Sequence, residues 1–386
     1  MAVPFFRPSV TQAEIDEVVA CMKSGWLTTG PRTKQFEENF AKRVGAKHAV
    51  ALNSCTAALH LALDAVGLKR GENVIVPVMT FAATAEVVRY FDATPVMVDC
   101  EPRSLCIDPD KLRETAKKTK DLRAIIPMHY GGQMVDVDAV QSIAKEVGVP
   151  VIEDAAHTLP AFYKGRQVGT TADITCFSFY ANKCITTGGE GGMAVTDSQE
   201  HADRMRVMSL HGMSKDAWKR FTDKGSWYYE LVAPGFKYNL TDIASGMGLR
   251  QLERVDELWA ERKKIAARYT AELSKIPGIE TPQQLEHREH SWHLYPIRLE
   301  TKRWSIDRAR FIDELKARGI TASVHWMPLH LHPYYRQTYG TGTGMFPVAE
   351  DVWPRLVSLP IFPGMTDTEQ TEVISAIADL ARLHGR

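Results

Sequence analysis

From residue 48 to residue 210, short apolar runs alternate with stretches whose apolar residues recur every three to four positions. The runs at 49–52, 73–77 (NVIVP), 95–99 (PVMVD), 124–128 (AIIPM) and 149–154 (VPVIED) read as buried strands. Those at 174–178 and 192–196 add two more, the second after a Gly-rich turn. Helical spacing fills the gaps: 56–66, where Leu59 and Leu63 lie one turn apart, then 84–91, 108–118 and 137–147. Strand and helix in this alternation predict βαβ units and a mostly parallel sheet covered on both faces. After Asn239 the pattern changes. Residues 242–273 read as one long helix with Leu249, Leu252, Val255 and Leu258 on its apolar face, followed by a strand at 293–299, a helix at 306–318, a strand near 321–325 and a last helix at 366–383. The expectation is an α/β fold in two parts: residues 1–245 as an N-terminal segment and large domain, and 246–386 as a smaller α+β domain.

Composition narrows the class. The chain has 386 residues, 44% of them hydrophobic and 24% charged, enough to build a packed core. Lys plus Arg equals Asp plus Glu at 47 each, which argues against a nucleic-acid partner, since such proteins carry a basic excess. No apolar run approaches the roughly 20 residues that span a bilayer, and the opening residues lack the layout of a secretory signal. A cytoplasmic protein without a membrane partner is expected. The six cysteines stand singly and without a CxxC, so neither a disulfide framework nor a metal site is expected. His325, His330 and His332 lack metalloenzyme spacing.

The stretch that carries chemistry is 151–154 followed by FSFYANKCITTGGEGG at 177–192. Asp154 ends a buried strand, where open α/β sheets collect their ligands. Lys183 sits in a turn between two buried strands; a lysine there is either an ordinary surface residue or a partly desolvated, nucleophilic amine. Asn53, Ser54, Cys55 and Thr56 lie where a strand turns into a helix, a place suited to anions. Gly188, Gly189, Gly191 and Gly192 flank Glu190 but form no dinucleotide-binding fingerprint. The loop at 218–229 (WKRFTDKGSWYY) is a candidate cover for a cleft.

The whole chain resembles the DegT/DnrJ/EryC1/StrS family of sugar-nucleotide aminotransferases, fold type I enzymes that use pyridoxal phosphate (PLP). The segments that carry the resemblance are SGWLTTGP (24–31), LNSCTAALHLAL (52–63), PVMTFAATAEVV (77–88), VIEDAAHTL (151–159), FSFYANK (177–183), GGEGG (188–192), GFKYNLTDIASGMGLRQLERVDE (235–257) and VHWMPLHLHPYY (324–335). The resemblance implies that Lys183 bears the cofactor and shuttles the proton, Asp154 faces the ring nitrogen and His157 packs near the ring. It implies that Ser54, Cys55, Thr56 and Ser178 bind the phosphate, with Cys55 standing where the family commonly has glycine, and that Phe81 stacks on the ring. Asn239 resembles a residue that reaches the phosphate of the neighbouring subunit, implying a homodimer with shared sites; read from the sequence, it serves equally as a cap on the following helix. Trp26, Thr28, Thr29, Tyr180, Glu190 and His325 are implied in the substrate site.

The activity implied is transfer of an amino group from L-glutamate to a keto group of a nucleotide-linked sugar. The nearest pattern is that of members acting on UDP-linked 4-keto sugars of the 4-amino-4-deoxy-L-arabinose type, which serve lipopolysaccharide and other surface glycans. A sugar 3-dehydratase of the same family is the alternative, but those members carry histidine in place of the lysine. A non-catalytic regulator that keeps the fold is the other alternative; Asp154, Lys183, Ser178 and Asn239 together speak against a decayed site.

Overall fold

The computed structural model describes residues 2–214 and 229–386. All but one residue (Tyr229) of the expected covering loop at 218–229 lie outside the described residues.

Two helices come first, α1 (Gln12–Ser24) and α2 (Pro31–Val44). Then strands and helices alternate: β1 (His48–Leu52), α3 (Cys55–Ala65), β2 (Asn73–Pro77), α4 (Ala82–Arg89), β3 (Thr94–Val98), α5 (Pro109–Lys118), β4 (Leu122–Ile125), α6 (Val137–Val147) and β5 (Ile152–Asp154). A small hairpin, β6 (Phe162–Tyr163) with β7 (Arg166–Gln167), precedes β8 (Ile174–Ser178), β9 (Gly192–Thr196) and α7 (Gln199–Ser209). Two sheets, ordered β3-β2-β4 and β5-β8-β9-β1, join through the parallel bridges Ile125–Val151 and Met128–Asp154 into one layer. Within it β9 alone runs against the others.

Strand periodicity explains the layering. In β1, Ala49 and Ala51 face one core with α2, α5, α6 and α8, while Val50 and Leu52 face the other with α3, α4 and α7. Both faces are covered, so the strands read as unbroken apolar runs.

The rest of the chain holds α8 (Asp242–Glu253), which packs on the first core, α9 (Val255–Leu273), β10 (Ile279–Glu280), β11 (Arg288–Glu289), which pairs with β6, β12 (Tyr295–Leu299), α10 (Arg308–Ala317), α11 (Pro333–Tyr339), α12 (Pro347–Val352), β13 (Leu356–Leu359) and α13 (Asp367–His384). Its sheet is β10-β12-β13, and its core takes in Val3 from the chain start together with residues from Ile265 onward.

Two expectations are corrected, and two helices are added. The helix expected at 242–273 is two helices, because Arg254 leaves helical geometry at φ −96° and ψ 0°. Its guanidinium is drawn to Glu14 at 2.8 Å, while Leu252, Val255 and Leu258 still face the core, so the apolar spacing continues across the break. Residues 321–325 form no strand; Ser323 pairs only with Ser358, whose own strand, β13, is the one that completes the small sheet. The helices α1 and α2 were not anticipated. The N-terminus of α2 is capped from far along the chain by buried Asp242, whose carboxylate accepts from the Gly30, Arg32 and Thr33 amides at 2.7, 3.1 and 2.9 Å. No helix among the described residues is long and apolar enough to cross a membrane.

Candidate active site

The carboxyl ends of β1, β2, β5 and β8 converge on a cavity of ≈ 330 Å³, the place where sheets of this kind bind ligands. Its wall includes Ser54, Cys55 and Thr56 from the β1–α3 turn, Phe81 from the β2–α4 turn, Asp154 and His157 after β5, and Ser178 at the end of β8. Tyr180, Lys183, Glu190 and His325 complete the set of expected residues found there. At the rim of the sheet the backbones pack closely: a Cβ on Gly192 would lie 2.3 Å from the Ser54 carbonyl carbon and 2.6 Å from the Cys55 amide. Only glycine allows β9 to press the phosphate-type turn into place.

Asp154 is 3% exposed. It accepts hydrogen bonds from the Thr84 hydroxyl at 2.7 Å and the Ala156 amide at 3.1 Å. Burial still raises its pKa above the usual carboxylate range, against the pull of those bonds and of Lys183. Burial acts oppositely on Lys183, lowering its pKa even though Asp154 pulls it upward. Burial thus favours the uncharged form of each, and a lysine shifted in this direction is the more nucleophilic for it.

The turn before α3 presents an N-terminus to the cavity. Ser54 caps it by accepting from the Ala57 amide at 3.0 Å, and Thr56 and Ser178 add hydroxyls to the same wall. His157 accepts from the Gly131 amide through Nδ1 at 3.2 Å, leaving its proton on Nε2. Its ring stacks on Trp326 with centroids 5.1 Å apart, and burial keeps it neutral. Phe81, 55% exposed, stands at the mouth beside Trp326. His325 bonds through Nδ1 to the Ser358 hydroxyl at 2.8 Å, and burial lowers its pKa to about 4.

Among the wall residues that escaped sequence reasoning are Asn182, His293, Trp326 and Met128. Thr84, which holds Asp154, escaped as well. Its signal lay in MTFAAT, where Thr84 falls one helical turn after Thr80, and their hydroxyls meet at 2.6 Å. Trp326 directly follows His325, but only the fold turns its ring against His157.

Trp26, Thr29 and Asn239 lie elsewhere, in a second cavity of ≈ 630 Å³ that they line with Pro31, Glu37 and Arg206. The Asn239 side chain donates to the Thr29 hydroxyl at 2.7 Å. Thr28 is exposed close by, its carbonyl accepting from the Asp242 amide at 3.2 Å. Asn239 does not cap α8; Thr241 does, accepting from the Ala244 amide.

The donor set of the first cavity fits pyridoxal phosphate. A buried carboxylate suits a ring nitrogen, a helix N-terminus with three hydroxyls suits a phosphate, and a desolvated amine suits a carbonyl carbon.

Relatives agree. Spore coat polysaccharide biosynthesis protein SpsC of Bacillus subtilis is 45% identical over 381 residues, covering 98% of this chain and 97% of its own. A putative sugar aminotransferase of Streptococcus pneumoniae, solved in its PMP form, superposes with a TM-score of 0.91 at 34% identity, covering 99% and 98% of the two chains. PseC of Helicobacter pylori, an aminotransferase involved in the biosynthesis of pseudoaminic acid, matches with a TM-score of 0.91 at 28% identity over 99% and 100%. A model of the DegT/DnrJ/EryC1/StrS aminotransferase family matches residues 8–378, and the chain belongs to that family of PLP-dependent sugar aminotransferases.

Proposed function

We propose that the protein moves an amino group from L-glutamate to a keto group, at C4, of a nucleotide-linked sugar destined for a surface polysaccharide or a related amino sugar. The observation that carries this reading is the meeting of Lys183 and Asp154 in one desolvated cavity beneath the N-terminus of α3. The polysaccharide role named for SpsC and the amino-sugar role named for PseC support the class of product.

When bound, pyridoxal phosphate supplies an electron-withdrawing ring and the carbon through which the amino group passes between the two substrates. Lys183 Nζ holds the cofactor between turnovers. Freed by the amino donor, it would take the proton from the donor carbon and deliver it to the cofactor carbon on the far side of the shared nitrogen, and with the keto-sugar the same amine would carry the proton back. Asp154 keeps the ring nitrogen protonated, and Thr84 and the Ala156 amide hold its carboxylate in place. The amides at Cys55 and Thr56, with the Ser54, Thr56 and Ser178 hydroxyls, bind the phosphate. Phe81 and His157 would pack against the ring, and Tyr180, Glu190 and His325 would be available to the substrate.

The reading includes a homodimer with divided sites. The second cavity, with Asn239, Thr29 and Trp26 in its wall, is where a partner would enter, and Asn239 would reach the partner's phosphate site. Support comes from α1, which leads to Trp26 and exposes Ile15, Val19 and Met22 along one face.

The test is a panel of UDP-, dTDP- and GDP-linked keto-sugars assayed with glutamate, with product position read by NMR. The reading expects a 4-amino sugar and 2-oxoglutarate from at least one nucleotide. Amination at another carbon, or no glutamate-dependent bleaching of the cofactor band, would overturn it.

A further inference from the structure

Asn182 and Lys183 line not one cavity but two. Besides the ligand cavity they border a void of ≈ 20 Å³, whose other walls include Cys184, Arg262, Phe362 and residues 6–9 of the chain start. The two residues form the partition between the spaces.

Arg262, on α9, is 3% exposed. Its NH1 group donates to the carbonyls of Ile361, His293 and Trp292 at 2.9, 3.3 and 3.4 Å, and its Nε is buried without a partner. Among the described residues its partners are backbone carbonyls, and Cys184 is the sole ionisable group favouring its charge. Arg7, in the same wall, differs: it is tied to Glu369 at 2.8 Å and is half exposed. An uncompensated buried cation is costly. The carbonyls it serves need only a donor, which a neutral amide would supply, so local packing does not account for the charge.

The groups facing Lys183 show where that charge acts. Asp154 from β5 draws a proton onto the amine, while the Cys55 thiol, its pKa pushed up by burial, carries no charge, and His157, His293 and His325 are held neutral by burial. Arg262 is the full positive charge in opposition to Asp154, reinforcing what burial does to the amine. From this arrangement we infer that Arg262 is an electrostatic positioning residue: across the small void, its guanidinium, with Nε unpartnered, adds to burial in favouring the neutral, reactive form of the Lys183 amine. The inference rests on the reading of Lys183 as the amine that takes the cofactor.

The test uses the full-length protein freed of cofactor, a state in which the pneumococcal neighbour has itself been solved. Lys183 is labelled with an amine-reactive reagent across a pH series, and the extent is read by peptide mass spectrometry. In Arg262→Gln and Arg262→Met, two neutral variants, the pH of half-maximal labelling rises by about one unit, the scale of one charge acting through protein. Arg262→Lys, which keeps the charge, stays near wild type. A midpoint unchanged in a folded neutral variant overturns the inference, as does an equal shift in Arg262→Lys, which would make the effect one of packing. Cofactor added to the wild-type protein should protect Lys183. Absence of protection would count against Lys183 as the cofactor's lysine, leaving the midpoint comparison to be read separately.

Discussion

The two cavities differ in what a single chain completes. In the first, most of the chemistry-bearing groups have partners within the chain, Asp154 in Thr84 and Ala156, Ser54 in the start of α3, His157 in Gly131 and His325 in Ser358, while Asn182 Oδ1 and His293 Nδ1 are buried without one. The second is larger and walled by Trp26, Pro31, Val50 and Ala51, with an exposed apolar helix face leading to it. Glu37, half-buried in that wall, has its pKa raised to about 7 by burial even though it accepts from the Ala51 amide and faces Arg206. A wall that joins apolar side chains to Thr29, Asn239, Arg206 and a poorly solvated acid is what a second protein surface is suited to cover.

The largest effect expected is on the first cavity. Lys183→Ala should lower amino transfer by at least about 10⁴-fold, since among the described residues no other amine lines that wall to move the proton. Wild-type turnover in that variant would remove the cavity from the mechanism. Asp154→Asn should keep the fold, as judged by circular dichroism, and slow the half-reaction with glutamate by about 10²–10⁴-fold. A loss below about threefold would mean that Asp154 serves structure alone. Smaller, and directed at the second cavity, is the effect of Asn239→Ala. Losing one hydrogen bond to a charged group costs about 1.5–3 kcal/mol, so cofactor should be held about ten- to a hundredfold more weakly. Equilibrium dialysis giving an unchanged Kd would detach the second cavity from the first.

The same contrast governs how much could be read in the sequence. Asp154, Lys183, Ser178 and the turn at residues 53–56 stand in contiguous motifs at strand ends, and the period of the strands put them on one edge of the sheet. Their place at the strand ends was legible because its cause is local; the roles expected of them came from the resemblance along the whole chain. Thr84, His293 and Trp326 were not, because they come to the cavity from separate elements through tertiary packing. The break at Arg254 was hidden for a similar reason: the ion pair with Glu14 that accompanies it spans most of the large domain's sequence, and the apolar spacing never falters. The start of α2 carries Gly30 at its cap position and borrows the carboxylate of Asp242, so no capping side chain announces it. Likewise Ser323 and Ser358 pair across the small sheet while only the second lies in a strand.

The claim that the second cavity belongs to a partner's site is tested most directly by mixing chains. Lys183→Ala and Asn239→Ala are co-expressed with different tags, and the heterodimer is isolated and assayed with glutamate and the accepted keto-sugar. With divided sites, two-fold symmetry gathers both lesions into one site and leaves the other intact, so the heterodimer recovers up to about half of wild-type activity. If Asn239 serves the cofactor of its own chain, each site carries one lesion. Activity no higher than that of the single variants, with Asn239→Ala itself clearly impaired, would contradict the account.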